Sequence, residues 1–542
     1  MKKGNIYVGK VSHIAFPNKG IVFAEGEKVV VKNTIPGQTV SFILTKNKTG
    51  LKEGRLLSVE ERSPAESCDK TCEVFEKCGG CIYQTIPYEE EIRIKEGQIR
   101  RLFENYFSVT PEYRDVDTDD IFLPIKPSPE SRGYRNKMEY SFGDEVKGGE
   151  LTLGMHVSGH FNDIVNTGGC NIAHEDFERI RKATRDFFAG TGIPFYHKNS
   201  GEGVLRHLLL RRGTATGEIL IGIVTASFDE TEMREVLESY VNCIEELDLS
   251  GEVVGIINII NDNSGDAVKA DEVRLLYGRD HFYDEVLGLK FKITPFSFFQ
   301  TNTKGAEVLY STVREFVREA LEEESGGSFD KGMDSAGDAF TGGVRTGTVF
   351  DLYSGTGTIT QLLSGCAEKV TGIELVEEAV AAARENAGSN GIKNVDFISG
   401  DVLKCLEKLD VRPDIIIMDP PREGAVKKAL DKILSYEVNH IIYVSCKPTS
   451  LIRDLETFTE RGYRIKKAVP IDMFPRTGNC ETVVQLSKGD IDRDSSERKS
   501  IVKTDDIGMI SGYNKGNKAP ETTNVKIDFS LENIDLSELR GR

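Results

Sequence analysis

A multidomain α/β chain is what this sequence predicts, with an all-β module first, an α+β region next and a doubly wound α/β sheet last. Three observations carry that prediction. Residues 5–60 alternate in short apolar-polar runs broken by Gly, Pro and Asn. Residues 132–290 mix strands and helices without a regular rhythm, whereas from about 291 apolar strands alternate with helix-length segments. At 542 residues the chain is long enough for several independent cores.

The first module reads as five strands (IYVGKVSHIAF, GIVFAEG, KVVVKN, QTVSFILTKN, LKEGRLLSVEER). Five short strands at this spacing predict a small closed barrel of the OB type over residues 1–62. The chain carries a formal net charge of −18, which argues against a nucleic-acid partner. Its first 60 residues run the other way, with ten basic against four acidic side chains. An RNA strand senses charge within about 8–10 Å at physiological salt, so a basic module on an acidic body is compatible with RNA.

Residues 63–290 form the expected α+β region. It opens on Cys68, Cys72, Cys78 and Cys81, four of the chain's ten cysteines within 14 residues. Such clustering in a reducing compartment points to a metal or cluster site, because ten cysteines in a chain this long are too sparse for a disulfide framework. A helix is predicted over 88–106. VLRHLLLRRGTATGEILIGIVTA reads as a hairpin, two apolar runs meeting at a Gly-containing turn.

The last region, 291–487, begins with a helix near 303–322 and a Gly/Ser/Asp-rich insertion over 322–347. Then come the strands TVFDLYS, KVTGIEL, VDFISGD, DIIIMDPP, HIIYVSC, RIKKAVPIDMF and TVVQLS. The polar stretch 488–542 reads as a flexible tail. No run of 18 apolar residues and no signal-peptide pattern is present, so a cytoplasmic protein free of membrane is expected.

Ligands of doubly wound sheets bind at the carboxyl ends of the strands, and the chemically suggestive residues fall there. DLYSGTGTIT places Gly355 and Gly357 where backbone can approach a ligand unhindered. Glu374 ends the next strand 23 residues after Asp351, placed to accept from both hydroxyls of a ribose. The loop lacks the G-x-G-x-x-G pattern of pyrophosphate sites, so a nucleoside bearing a sulfonium fits better. Asp401, in FISGD, is read equally as an adenine contact or a helix N-cap. Asp419 precedes two prolines at the end of a buried strand, where a structural role is hard to assign. Cys446, in IIYVSCKPTS, stands at a strand end before a helix, a setting expected to ease thiol ionisation. Glu481, in DMFPRTGNCETVVQL, begins the last strand at the same edge of the sheet. A cysteine and a carboxylate beside a methyl donor suit carbon-5 methylation of uracil. A thiolate added to carbon 6 makes carbon 5 nucleophilic, and a base then removes its proton.

SFFQTN, DLYSGTGT, DPPREG, VSCKP and DMFPRTGNCE, in this order, resemble the RNA uracil-C5 methyltransferases, which include 23S ribosomal RNA enzymes and the tRNA T-loop enzyme. The resemblance spans residue 1 to about 487. It implies a class I, Rossmann-like methyltransferase domain and S-adenosylmethionine as cofactor. It puts the donor contacts at Gln300, Tyr353, Glu374 and Asp419, with Asp401 a further contact. It also implies Cys446 as nucleophile, Glu481 as base and a TRAM-type barrel. Cys72, Cys78 and Cys81, with Cys170 of NTGGCNIA, resemble the family's [4Fe–4S] ligands, although four thiolates equally suit zinc. Cys68 is then a bystander, Cys243, Cys366 and Cys405 are core residues, and Cys480 is an incidental neighbour of the base. Arg476 and Asn479 stand where many members have histidine. By analogy the barrel and cysteines favour 23S rRNA over tRNA, and a monomer is expected. Radical methylthiotransferases also join a barrel, a cysteine group and this donor. They need C-x3-C-x2-C, however, and Phe75 stands where the third cysteine belongs. A non-catalytic RNA chaperone is the alternative from another class; the intact Cys446 and Glu481 argue against it.

Overall fold

The computed structural model describes residues 1–68, 72–263, 265, 270–325, 346–409 and 411–489. Most of the 322–347 insertion and nearly all of the 488–542 tail therefore lie outside the described residues. Among the described residues no helix is long and apolar enough to cross a membrane.

Strands β1 (Ile6–Ala15), β2 (Lys19–Ala24), β3 (Glu27–Lys32), β4 (Thr39–Lys48) and β5 (Leu51–Glu61) close into a barrel in the order β1-β2-β3-β5-β4. Alternation puts Val11, Val22, Val29, Val31, Val40, Phe42 and Leu44 inside. Gly54 is required by closure, since a Cβ there would meet the Phe42 ring at 2.4 Å.

Helix α1 (Tyr88–Val109) follows, longer at its end than the 88–106 read from sequence, then the short α2 (Thr118–Ile121). Ile99, Phe103, Tyr106 and Phe107 of α1 join the apolar core of the C-terminal sheet. The central sheet is built from β6 (Lys137–Gly143), β7 (Thr152–Val157), β8 (His160–Asn166), β9 (Leu205–Arg212), β10 (Glu218–Thr225), β11 (Glu252–Ile260) and β12 (Glu272–Gly278). Its order is β12-β11-β10-β9-β6-β7-β8. The expected hairpin is the antiparallel β9–β10 pair, and β10–β11 is a parallel pair. Helices α3 (Glu175–Thr191) and α4 (Glu230–Glu245) cover one face.

A two-stranded hairpin, β13 (Phe282–Val286) and β14 (Leu289–Ile293), leads to α5 (Thr303–Ser325). The C-terminal sheet then unfolds in sequence as β15 (Thr348–Leu352), α6 (Thr358–Leu362), β16 (Lys369–Glu374), α7 (Glu377–Ser389), β17 (Val395–Ser399), α8 (Val402–Lys408), β18 (Ile415–Met418), α9 (Lys427–Leu434), β19 (His440–Ser445), α10 (Pro448–Glu460), β20 (Tyr463–Ile471) and β21 (Glu481–Lys488). The strand order is β17-β16-β15-β18-β19-β21-β20, with β21 antiparallel to both its neighbours. The order reverses between β15 and β18, and a crevice opens where the two connections leave in opposite directions. Two-sided burial explains the runs IIIM and HIIYVS, which are apolar at almost every position and buried throughout.

Candidate active site

The donor-side and catalytic candidates of the last region lie at or just beyond the strand ends that border that crevice. Tyr353 leaves β15 with φ of 65°, an unusual conformation for a non-glycine residue. Strain of this kind persists where surrounding structure fixes it, and it marks ligand sites. Gly355 (φ 54°) and Gly357 (φ 73°) continue the turn. A Cβ on Gly357 would strike Phe397 at 2.5 Å, so that glycine lets loop and sheet pack. A Cβ on Gly355 would meet only Phe298 Cδ1, at 3.9 Å, so it would fill the cradle in which a ligand would lie. The Glu374 carboxylate accepts from the amides of Gly355 and Val376, both at 2.9 Å, which fixes it at the rim with lone pairs to spare. Asp401 is exposed and caps α8, accepting from the Lys404 amide at 3.2 Å. The capping role left open by the sequence is thus present, and the Asp401 charge is close enough to add to the effect of burial in raising the Tyr353 hydroxyl.

The opposite wall is the SFFQTN segment. Asn302 is fully buried; it donates to the Met473 carbonyl (2.9 Å) and accepts from the Gly305 amide (2.9 Å). That bond ties SFFQTN to DMFPRTGNCE, two motifs far apart in sequence. Asn136 of the central region donates to the Gln300 carbonyl at 2.8 Å. Thr356 donates to the Phe298 carbonyl at 3.1 Å, joining the glycine loop to this wall and leaving the Phe298 ring 65% exposed beside the crevice.

Cys446 and Glu481 meet by strand register. Ser445 of β19 pairs with Thr482 of β21, so the next residue on each strand, Cys446 and Glu481, faces the other at the end of the ladder. Asp419, at the end of β18, completes an acidic group. Burial, then the nearby Asp419, raises Glu481 to about 8. Burial, then Asp351, raises Asp419 to about 7. The Cys446 thiol does not ionise more easily, as its position before a helix had suggested. Burial, with Glu481 and Asp419 beside it, raises it to about 11 against the opposing pull of Arg422.

Two features were not singled out from sequence. Tyr310 of α5 is buried and lies within the field of Asp419, Glu481 and Asp351, with Gln300 nearby. At helical spacing it reads as one more core aromatic. Asp454 of α10 accepts from the Ala425 amide (2.8 Å) and the Tyr443 hydroxyl (2.7 Å), clamping the turn after DPPREG.

The segment delivering Glu481 is held from behind by buried charges. Lys95 of α1 bridges Glu91 and Asp472, each at 2.8 Å. Arg476, the departure noted from sequence, is buried with φ of 70° and donates to the carbonyls of Tyr83 (3.1 Å) and Ile86 (2.9 Å). Its own carbonyl accepts from the Ile82 amide at 2.7 Å, one residue beyond Cys81. The cysteines themselves are near neighbours: burial raises the Cys72, Cys78 and Cys81 thiols, Cys81 to about 12, and each is raised further by Cys170. Among the described residues, however, no three His, Cys, Asp or Glu side chains stand in an arrangement that holds a metal ion.

Comparison with known proteins agrees with this geometry. The family profile for tRNA (uracil-5-)-methyltransferases matches residues 339–489. An uncharacterized RNA methyltransferase of Clostridium tetani is 42% identical over 490 residues, covering 90% of this chain and 99% of the relative. One from Bacteroides thetaiotaomicron is 32% identical over 489 residues, covering 87% and 99%. The fold resembles that of Pyrococcus abyssi tRNA (uracil-54, C5)-methyltransferase, solved in complex with S-adenosyl-L-homocysteine. Its TM-score is 0.65 at 22% identity, over 88% of this chain and 99% of that one. The chain thus belongs to the RNA uracil-C5 methyltransferase family, as an S-adenosylmethionine-dependent enzyme.

Proposed function

We propose that this enzyme methylates carbon 5 of a uridine in 23S rRNA through a covalent adduct between Cys446 and carbon 6. The observation that carries the mechanism is the register that sets Cys446 against Glu481. Gln300, Tyr353, Gly355, Glu374, Asp401 and Asp419 line the donor side of the crevice in this reading. When bound there, S-adenosylmethionine supplies an electrophilic methyl group, and its cationic sulfonium suits a site where Asp419 is otherwise costly to ionise. Cys446 gives up its proton to solvent and its sulfur bonds to carbon 6, sending the electron pair of the carbon 5–carbon 6 double bond toward carbon 5. Carbon 5 would then take the methyl group that a bound donor would supply, the sulfonium's carbon–sulfur bond giving its electron pair to a neutral thioether. Glu481 then removes the carbon-5 proton, the carbon–sulfur bond breaks, and the Cys446 thiolate is released.

The substrate reading rests on the basic barrel, which resembles a TRAM module, and on the cysteine group. RNA tritiated at carbon 5 of uridine should lose one tritium per methyl group gained, from 23S rRNA and not from tRNA. The same loss from the T-loop of tRNA alone would shift the substrate to tRNA. RNA binding without any tritium release would leave a non-catalytic RNA-binding protein.

We also propose that Cys72, Cys78, Cys81 and Cys170 hold a [4Fe–4S] cluster. Support comes from three neighbouring thiols, Cys72, Cys78 and Cys81, whose ionisation burial and the adjacent Cys170 oppose, a donor set that a bound cation would relieve. Protein purified without air should be brown and contain iron and acid-labile sulfide, and Cys81→Ser should lose both. Colourless protein with stoichiometric zinc would replace the cluster with a zinc site.

A further inference from the structure

The face of the central sheet turned away from α3 and α4 carries a cavity that the reaction above does not use. In the β6–β9 pair, Lys137 stands opposite Arg211, Glu139 opposite Leu209 and Ser141 opposite His207. Their neighbours Met138, Tyr140, Leu208 and Leu210 pack beneath the helices, so these three pairs line the other face. At one end of this face the Arg211 guanidinium donates to the carbonyls of Thr294 (2.7 Å), Pro295 (3.1 Å) and Ser297 (2.8 Å). Those residues lead directly into Phe298 and Gln300 of the active site. Four residues along β9, about 13 Å at ~3.3 Å per residue, His207 borders a cavity of about 530 Å³.

The cavity is lined by Lys147, Lys198, Arg206, Phe195, His197 and His207, together with other polar residues. Arg206 is 3% exposed and lies over the Tyr196 ring at 4.2 Å. Its terminal nitrogens donate to the carbonyls of Asn261 and Gly265, each at 2.8 Å, and its Nε has no partner among the described residues. Burial and the cations Arg206 and Lys198 hold His207 neutral, at about 3, with the Ser141 hydroxyl at 3.1 Å from its Nδ1. Lys198 is itself pushed down by burial and by Arg206. Among the described residues, the acids nearby also hold other groups. Asp144 accepts from the Gly148 amide, Asp163 pairs with His160, and Asp262 accepts from the Ser227 hydroxyl and amide while facing Arg206 with Asp271. An anion beside Lys198 and Arg206 would relieve the repulsion that Lys198 feels, with the exposed Lys147 on the same lining. The Phe195 and His197 rings, 4.3 Å apart and inclined at 48°, offer aromatic faces beside them.

We propose that this cavity seats a nucleotide of the substrate RNA flanking the target uridine, its phosphate at Lys147, Lys198 and Arg206 and its base against Phe195 and His197. The inference rests on the RNA-methylating reading and extends it to how the strand is gripped away from the reacting base.

The test uses the full-length protein, a fluorescein-labelled single-stranded RNA 12-mer and free 5′-AMP. Lys147→Glu combined with Lys198→Glu should weaken oligonucleotide binding roughly tenfold or more in low salt. It should also reduce the slope of log affinity against log salt by about 1–2. His197→Ala, which leaves the charges in place, should weaken binding several-fold with little change in slope. Methyl-donor affinity should be the same in all three proteins. RNA affinity and salt slope unchanged in the charge-reversed protein would overturn the proposal. So would 5′-AMP binding that is lost on charge reversal while RNA binding is not, since that marks a site for free nucleotides. Methyl transfer by the wild type is measured in parallel, and its failure would count against the reaction while the binding results still judge the cavity.

Discussion

Cys446→Ala protein transfers no measurable methyl group to RNA, a loss expected to be on the order of 10⁴-fold or more, as for other removals of a covalent nucleophile. Carbon 5 of uracil is too weak a nucleophile to attack a methyl sulfonium unless a group has first added at carbon 6. No neighbouring thiol can substitute. Cys480 is fully buried and its Sγ donates to the Ile471 carbonyl at 3.2 Å. The variant should still fold, because Cys446 is only half-buried beyond the last paired residue of β19. Donor affinity should persist, since the glycine loop and Glu374 are untouched. Radiolabelled methyl incorporation and a denaturing gel measure both halves of this prediction, with no slow-migrating protein–RNA band expected. Methylation by Cys446→Ala at even a hundredth of the wild-type rate would overturn the covalent mechanism.

How much of this could be read from sequence depended on whether the cause was local. The doubly wound sheet was legible because strands buried on both faces leave nearly unbroken apolar runs. Glycines, prolines and carboxylates at the strand ends marked the crevice for the same reason. Relations between distant segments were not legible. Local position suggested that Cys446 would ionise easily, yet Asp419 and Glu481 arrive from other strands and reverse the balance. Asp401 satisfied a local rule, capping α8, without settling what else it touches. Helix α1 lies in the first quarter of the chain but buries Phe103 and Phe107 in the last sheet's core, a partnership its own amphipathic pattern cannot reveal. Arg476 showed only as a departure from family resemblance. Its role, a buried guanidinium bonding to carbonyls of residues 83 and 86, depends on a turn almost 400 positions away. The cysteine spacing drew attention to Cys72, Cys78 and Cys81, and the fold adds their nearness to Cys170.

Glu481→Gln should stop the reaction one step later than Cys446→Ala, and the difference identifies the base. Addition of Cys446 and methyl transfer both precede removal of the carbon-5 proton. The variant should therefore accumulate a methylated RNA–protein adduct that survives denaturation and runs as a slow band. Turnover should fall by roughly 10²–10⁴-fold, the usual contribution of a positioned general base. The wild-type pH profile carries an independent signature. Burial and Asp419 raise Glu481 from the usual 4.5 to about 8, so the carboxyl is mostly protonated at neutral pH and gains basic form as pH rises. Turnover should climb through that range with an inflection near 8, and the adduct-forming step in Glu481→Gln should lack that inflection while keeping the steady rise set by the Cys446 thiol. Stability should move oppositely. The folded chain holds this proton more tightly than the unfolded chain, so the group's relative stabilisation is full below about 4.5 and is lost as pH rises toward 8. An inactive Glu481→Gln protein that binds RNA and donor but never forms an adduct would take the base role away from Glu481. It would leave Cys446 to be judged by its own substitution, because a carboxylate needed for addition acts before the carbon–sulfur bond forms and one needed for elimination acts only after it.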